Sequence, residues 1–390
     1  MMSKHALIFG ASGIQGWAVT NQLLHGYPDP ETFGKITALT HRPMRGHTFW
    51  PRNPKLQLVS DIDLQRDDVE QQLAARVPDI ATVTTVFFFA YIFNHDRHQE
   101  VAINLKALKH AITAVEALSR RLSFAVHATG TKAYGVHLME EFPFRHQLPL
   151  TEELPSIPEP HRSKLFYFAQ TDWLAEHSRE KSWTYCVLRP DVIVGYVPNG
   201  NTYCLALIIA QFLALYREIN GGGAKCPFPR SLGSWDCLSN DSGQDTIARF
   251  AIHAALHPEH CGAGQAFNVA SRRSPLSWSK RWPVLCEFFG LEGAPPPIGK
   301  EVLISQYLAD HAVEWARLEA SRGLVSAGEV NAKSALMLGH GILASMDFDR
   351  QLSLARMHRA WSLGSKSEES TTEEIWWTAF RRFRDAKMIP

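Results

Sequence analysis

The first half of the chain alternates short apolar runs with stretches of helical spacing. His5–Phe9 is a short run ending at Gly10, and an amphipathic stretch follows from Ile14 to Leu24. Lys35–Leu39, Leu56–Val59, Thr85–Phe89, Phe124–His127 and Thr184–Leu188 read as further strands. Between Thr85–Phe89 and Phe124–His127, Ala102–Leu118 places Ala102, Leu105, Leu108, Ile112 and Val115 at helical intervals. This alternation predicts parallel strands covered by helices on both faces. Val86-Phe87-Phe88-Phe89 carries no polar alternation, so it predicts a strand buried on both sides with its aromatics in the core.

After Gly195 the pattern changes. Leu205–Tyr216 predicts a buried helix, Gly221-Gly222-Gly223 a flexible turn, and Thr246–Leu256 and Trp282–Phe289 further helices. Ser365–Glu374 reads as an exposed loop leading into a helix over Ile375–Lys387. The expected fold is α/β: a Rossmann-type doubly wound parallel sheet over residues 1–198. A smaller, mixed and mainly substrate-binding region follows over 199–390, with room for later segments to return to the Rossmann core.

Composition narrows the partners. A net charge of +1 on 390 residues offers no basic excess for nucleic acid or an acidic membrane surface. The longest apolar runs, Val86–Phe93 and Cys204–Leu215, fall short of the roughly 20 residues needed to span a bilayer. There is no signal-peptide pattern after Met1. The six cysteines form no Cys-x-x-Cys pair, which fits reduced thiols in a cytoplasmic protein and neither a zinc site nor a disulfide framework. A small-molecule substrate is the expected partner, and a homodimer is left open.

Gly10-Ala-Ser12-Gly13-Ile14-Gln-Gly16 lies between the first strand and the first helix, where a dinucleotide loop must sit. Gly10 permits the tight turn, Gly13 the approach of a pyrophosphate, and Gly16 close helix–strand packing. The helix N-terminus then presents its free N–H groups to the anion. The second strand ends Thr40-His41-Arg42-Pro43, with no carboxylate for the ribose hydroxyls of NAD. Arg42 and Thr40 suit a 2′-phosphate, so NADPH/NADP+ is the expected cofactor. Asp61 and Ile62 are candidates for the adenine, with a capping or surface role as the other reading of Asp61. Asn94–His98 reads as a solvated loop or helix start and not as a metal site, so no metal is expected. Asp241 and Asp245 read as residues capping or flanking a helix, and Asn104 as a helix-surface side chain, with a place facing the cleft as its other reading.

Tyr167-Phe-Ala-Gln-Thr171 has the tyrosine of the Tyr-x-x-x-Lys helix motif of short-chain dehydrogenases and lacks its lysine. A lysine stands elsewhere, after the fifth strand, in Thr129-Gly130-Thr-Lys132-Ala-Tyr134-Gly135. Together with Leu165-Phe166-Tyr167-Phe168, this segment resembles the progesterone 5-beta-reductase and iridoid synthase family, an atypical branch of the short-chain dehydrogenases. The likeness extends along nearly the whole chain. Gly10–Leu24, Leu39–Pro43, Val187–Gly195, Trp235–Leu256, Ala266–Val269, Trp278–Gly290 and Phe380–Pro390 match in order. The resemblance implies an extended short-chain dehydrogenase fold, NADPH, and Tyr167 and Lys132 as the catalytic pair. It also implies Ala90, Thr129 and Val194 at the cofactor. Three departures stand out: Ala90-Tyr91 replaces a Thr-Trp pair, Phe166 replaces a tyrosine, and His41 replaces one of two arginines.

The implied reaction is NADPH-dependent reduction of an activated C=C bond (an enone or enal) or a carbonyl, in a small, largely apolar molecule of the secondary-metabolite kind. Trp235, Phe267, Phe288 and Phe289 are expected to build its pocket. A non-redox isomerase or cyclase on the same scaffold, and an NADP-binding sensor, are the alternative readings.

Overall fold

The computed structural model describes residues 3–44, 50–198, 204–230, 232–298, 303–325, 341–364 and 368–390. Seven strands make one parallel sheet: β1 (Lys4–Phe9), β2 (Phe33–Leu39), β3 (Leu56–Val59), β4 (Thr85–Phe88), β5 (Phe124–Ala128), β6 (Thr184–Pro190) and β7 (Gln265–Val269). Their spatial order is β3-β2-β1-β4-β5-β6-β7, a doubly wound Rossmann arrangement. The order reverses between β1 and β4, where Ile8 faces Ala38 on one side and Phe87 on the other.

The continuous apolar runs follow from burial on both faces. In β1, Ala6 and Ile8 enter one apolar layer with Phe87, Phe124 and Val126. Leu7 and Phe9 enter the other with Val86, Phe88 and Ala125. Helix α1 (Ile14–Leu24) covers the first face, and α2 (Val69–Arg76) and α3 (Arg97–Leu118) cover the second. Helix α4 (Phe166–His177) follows β5, and α5 (Leu205–Asn220) is the buried helix expected there. Helix α6 (Gln244–Leu256) packs against α1, with Arg249 Nε donating to Gln22 Oε1 at 3.1 Å. Helices α7 (Trp278–Phe288), α8 (Ala355–Gly364) and α9 (Thr372–Asp385) complete the C-terminal region used below.

β7 joins the main sheet beside β6, so a strand from beyond residue 198 returns to the Rossmann core. Several other elements depart from expectation. Helix α3 starts five residues before Ala102 because the Asp96 carboxylate caps it, accepting from His98 N at 2.8 Å and Gln99 N at 3.1 Å. Helix α9 starts at Thr372 because Thr371 and Glu374 form a capping box; residues 365–367 of the expected loop lie outside the described residues. Asn104 is fully buried and not on a helix surface. Asp245 lies in the first turn of α6 and pairs with Arg382 at 2.8 Å, whereas Asp241 is buried and bonds to three side chains.

The aromatics expected at the substrate pocket pack against other aromatic side chains. Phe267 on β7 is fully buried against Phe250, and Phe288 and Phe289 both pack on Phe380. Trp235 sits against Phe228. Phe267 and Phe289 are buried in the same apolar cluster as the first face of the sheet, and Trp235 and Phe288 pack against it partly buried. All six cysteines are buried free thiols.

Candidate active site

The reversal between β1 and β4 opens a crevice at the carboxyl ends of the strands. Gly10 follows β1 with φ of +78°, and a Cβ there would lie 2.8 Å from Phe89 O and Ala90 N. Only glycine lets the two strand ends approach so closely. Gly16 faces the same loop, and its Cβ would come within 2.8 Å of Ala11 Cα. Gly13 differs. Its φ is −85°, and a Cβ would meet only Gly10 O at 3.2 Å, with open space beyond. Neither backbone strain nor packing accounts for glycine at 13, and the open space lies at the N-terminus of α1, where an anion such as a pyrophosphate could approach. Ser12 and Ile14 flank Gly13 and are partly exposed. Gly13→Val is therefore expected to cost the fold only about 1 kcal/mol at the helix cap. It should weaken NADPH binding at least tenfold, about 1.4 kcal/mol. Calorimetric titration of the folded variant checks this, and unchanged affinity would place the nucleotide elsewhere.

At the far end of the crevice, Arg42 is exposed. Thr40 is buried, its hydroxyl donating to Ser60 Oγ at 3.1 Å. Its carbonyl accepts from Ile62 N, and the Ile62 side chain belongs to the core. Asp61 adopts φ of +58°, its carbonyl accepting from Arg76 Nη1 at 2.9 Å and its carboxylate 3.7 Å from the same guanidinium. Arg42 is thus the exposed cation at the end of β2.

The other end of the crevice is built by β5 and β6. Thr129 donates from both its N–H and its hydroxyl to Leu188 O, fixing the strand end. Val194 is buried in a short pairing with Gly243. The chain then makes a 3₁₀ turn over Thr131–Tyr134, which carries the half-buried Lys132. Burial, with Arg97 nearby, pushes the Lys132 ammonium below its ordinary pKa, and Glu100 opposes that shift. Tyr167 lies in the first turn of α4. Its hydroxyl sits so close to Gly130 that a Cβ there would be 3.3 Å from it and 3.3 Å from Pro190 O. The Tyr167 phenol and the Lys132 turn therefore share the carboxyl rim of β5. Thr171 supplies no cation, and its hydroxyl turns back to Tyr167 O at 2.9 Å. His127 on β5 is buried against Phe88, and burial holds its imidazole down to about 3. It is uncharged core at neutral pH.

Tyr91, Arg97, Glu100 and Asn104 were not legible as a group in the sequence. The Tyr91 ring stacks on Phe166 at 5.2 Å, and Phe166 meets Tyr167 edge-on at 4.7 Å. The Tyr91 hydroxyl donates to the buried Glu100 carboxylate, which also accepts from Arg97 Nη1 at 2.8 Å. Asn104 brackets Ile92, donating to its carbonyl at 2.8 Å and accepting from its N–H at 2.9 Å. Its own carbonyl accepts from Gln170 of α4 at 2.8 Å. The spacing of Arg97 and Glu100, three apart at a helix start, was the one available signal that they share a face. Among the described residues, no cluster of metal-ligating side chains occurs, and no helix is long and apolar enough to cross a membrane.

The PRISE-like Rossmann-fold domain model matches residues 6–390. The chain belongs to the PRISE-like family. It is 34% identical to the short chain dehydrogenase sirQ of Leptosphaeria maculans over 99% of this chain and 97% of that protein. It is 33% identical to the short chain dehydrogenase ausT of Aspergillus calidoustus over 100% and 95%. Identity to the (S)-8-oxocitronellyl enol synthase ISY1 of Nepeta racemosa is 30%, over 82% and 78%. This PRISE-like protein is thus an oxidoreductase of the short-chain dehydrogenase/reductase superfamily. Among solved structures, the RMD protein of Pseudomonas aeruginosa complexed with NADPH superposes with a TM-score of 0.59 at 14% identity, covering 97% of this chain and 99% of that one. That likeness concerns the fold.

Proposed function

We propose that this PRISE-like protein is an NADPH-dependent reductase of a C=C bond conjugated to a carbonyl, in a small, largely apolar molecule. The observation that carries this reading is the Tyr167 hydroxyl at the β5 rim, beside the turn that holds Lys132, where the helix position usual for the lysine is Thr171. Gly10, Ser12, Gly13, Ile14 and Gly16 would hold the pyrophosphate, Arg42 the 2′-phosphate, and Ala90, Thr129 and Val194 the nicotinamide end. NADPH, when bound, would supply a hydride to the β-carbon of the enone, and a proton from solvent at the α-carbon would complete the saturated carbonyl. Tyr167 donates a hydrogen bond to the carbonyl oxygen, on which negative charge grows. A fixed donor aimed at developing charge is usually the largest catalytic contribution. Lys132 keeps the phenol polarised, since a neighbouring cation favours the ionised form. The solved relative complexed with NADPH and the enol synthase from Nepeta are in keeping with this reading.

The test is incubation with NADPH and cyclohexenone, following nicotinamide absorbance and product mass. Cofactor consumption with a product two hydrogens heavier is expected. No consumption across a panel of enones, with a product of unchanged mass, would make the protein an isomerase or cyclase. Cofactor choice has its own test. Arg42→Ala removes a charge-assisted bond to the 2′-phosphate, about 1.5–3 kcal/mol, so NADPH binding should weaken about tenfold or more. NADH binding should stay within about twofold. Equal losses for the two cofactors would remove Arg42 from the phosphate site.

A further inference from the structure

We propose that the buried ion pair of Asp191 and Arg350 positions Lys132, acting through Thr131. The inference rests on the role given to Lys132 above. Thr131 immediately precedes Lys132, and its hydroxyl donates to Asp191 Oδ1 at 3.2 Å. The other carboxylate oxygen, Oδ2, accepts from Arg350 Nε at 3.2 Å. Both side chains are buried, 2% exposed for Asp191 and 3% for Arg350. Asp191 follows β6 directly, and its N–H donates to Ser242 Oγ at 3.0 Å, which in turn donates to Val269 O of β7 at 2.9 Å. The Asp191 backbone is therefore fixed to the sheet, and the arginine sets the direction of its carboxylate.

Arg350 is anchored from the opposite side. Its N–H donates to Leu238 O at 2.9 Å. Two residues on, Leu352 N donates to Asn240 Oδ1 at 2.8 Å, and Leu352 bridges to Leu150. The guanidinium arrives at the β6 end on a segment of the C-terminal region held by these bonds. Its Nη1 has no hydrogen-bond partner among the described residues.

A buried ion pair with one unsatisfied donor is a poor way to stabilise a fold, because apolar residues of like volume do as well or better. It does fix geometry. The carboxylate cannot turn away from Arg350 without leaving a buried charge alone, so it offers Thr131 an acceptor at one place only. The turn after Gly130 is short, and displacement of Thr131 moves the Lys132 backbone with it. The C-terminal region thereby sets where the Lys132 ammonium lies relative to the Tyr167 phenol.

Thr131→Val removes the hydroxyl and leaves the ion pair intact. It is expected to lower kcat for cyclohexenone with NADPH about tenfold, since misplacement by about 1 Å costs up to about a hundredfold. Arg350→Met should do the same, with Arg350→Lys restoring most of the rate. The decisive measurement repeats Thr131→Val in a Lys132→Met background. If Thr131 acts through Lys132, kcat there should fall no further. A parental kcat for Thr131→Val, or an equal drop in both backgrounds, overturns the inference even if Arg350→Met does not fold. A parental kcat for Lys132→Met alone would instead overturn the reading of Lys132 on which it rests.

Discussion

Tyr167→Phe is expected to slow enone reduction by about a hundredfold or more, comparable to the loss of one oxyanion donor. The substitution is conservative in packing. Phenylalanine keeps the edge contact with Phe166 and the place in the first turn of α4. Only the hydroxyl beside Gly130 is lost, and with it the hydrogen bond that strengthens as charge moves onto the carbonyl oxygen. NADPH affinity should change by less than about twofold, because an interaction made mainly in the transition state leaves ground-state binding alone. Steady-state rates and a fluorescence titration of the cofactor separate the two effects. Lys132→Met should also slow turnover, and should weaken the cofactor as well if the ammonium reaches the ribose. Parental rates in both variants would move the protein out of this mechanism and towards an isomerase, a cyclase or a cofactor-binding sensor.

The nucleotide loop was legible because three glycines at fixed spacing answer to three local demands in one strand–turn–helix unit. The structure shows two of those demands directly, as contacts at Gly10 and Gly16, and shows open space at Gly13. The strands of the first half were legible because burial on both faces leaves continuous apolar runs. β7 was harder. Gln265-Ala-Phe-Asn-Val269 includes Asn268, a buried polar residue that accepts from the Tyr134 hydroxyl at 2.6 Å and donates to Leu150 O at 2.9 Å. Its polarity is satisfied by distant segments, so the short run does not read as a buried strand.

The surroundings of Tyr167 were less legible for a related reason. Asn104 looks like a surface residue until its bonds to Ile92 are seen. Glu100 looks solvated, yet Tyr91 and Arg97 supply the donors that permit its burial. The Ile92 groups and the Tyr91 hydroxyl come from a loop with no periodicity of its own, and Arg97 from the first turn of Glu100's own helix. The aromatic residues after position 199 are ambiguous in the opposite direction. An apolar side chain that lines a pocket and one that fills a core follow the same pattern along the chain, and here Phe267 and Phe289 are buried whereas Phe288 is partly buried.

Asp241 is the clearest instance of chemistry hidden in an ordinary-looking residue, and its loss should destabilise the fold severely. Its carboxylate joins three separate segments in a site shielded from water. Oδ1 accepts from Arg281 Nε of α7 at 2.8 Å and from Trp376 Nε1 of α9 at 3.3 Å. Oδ2 accepts from Thr372 Oγ1, also of α9, at 2.8 Å. Arg281 is 2% exposed, and its remaining bonded nitrogen donates to Ser239 O. Asp241→Ala would strand that guanidinium with its charge uncompensated and leave the Thr372 and Trp376 donors without their acceptor. The expected cost is about 3–5 kcal/mol, read as a lowered urea midpoint of the cofactor-free protein. Paired replacement of Asp241 by Leu and Arg281 by Met removes both charges and should cost less than the single change, because no buried ion is left alone. If the pair instead costs as much as Asp241→Ala or more, the carboxylate stabilises the fold through its bonds to Thr372 and Trp376 and not by neutralising Arg281.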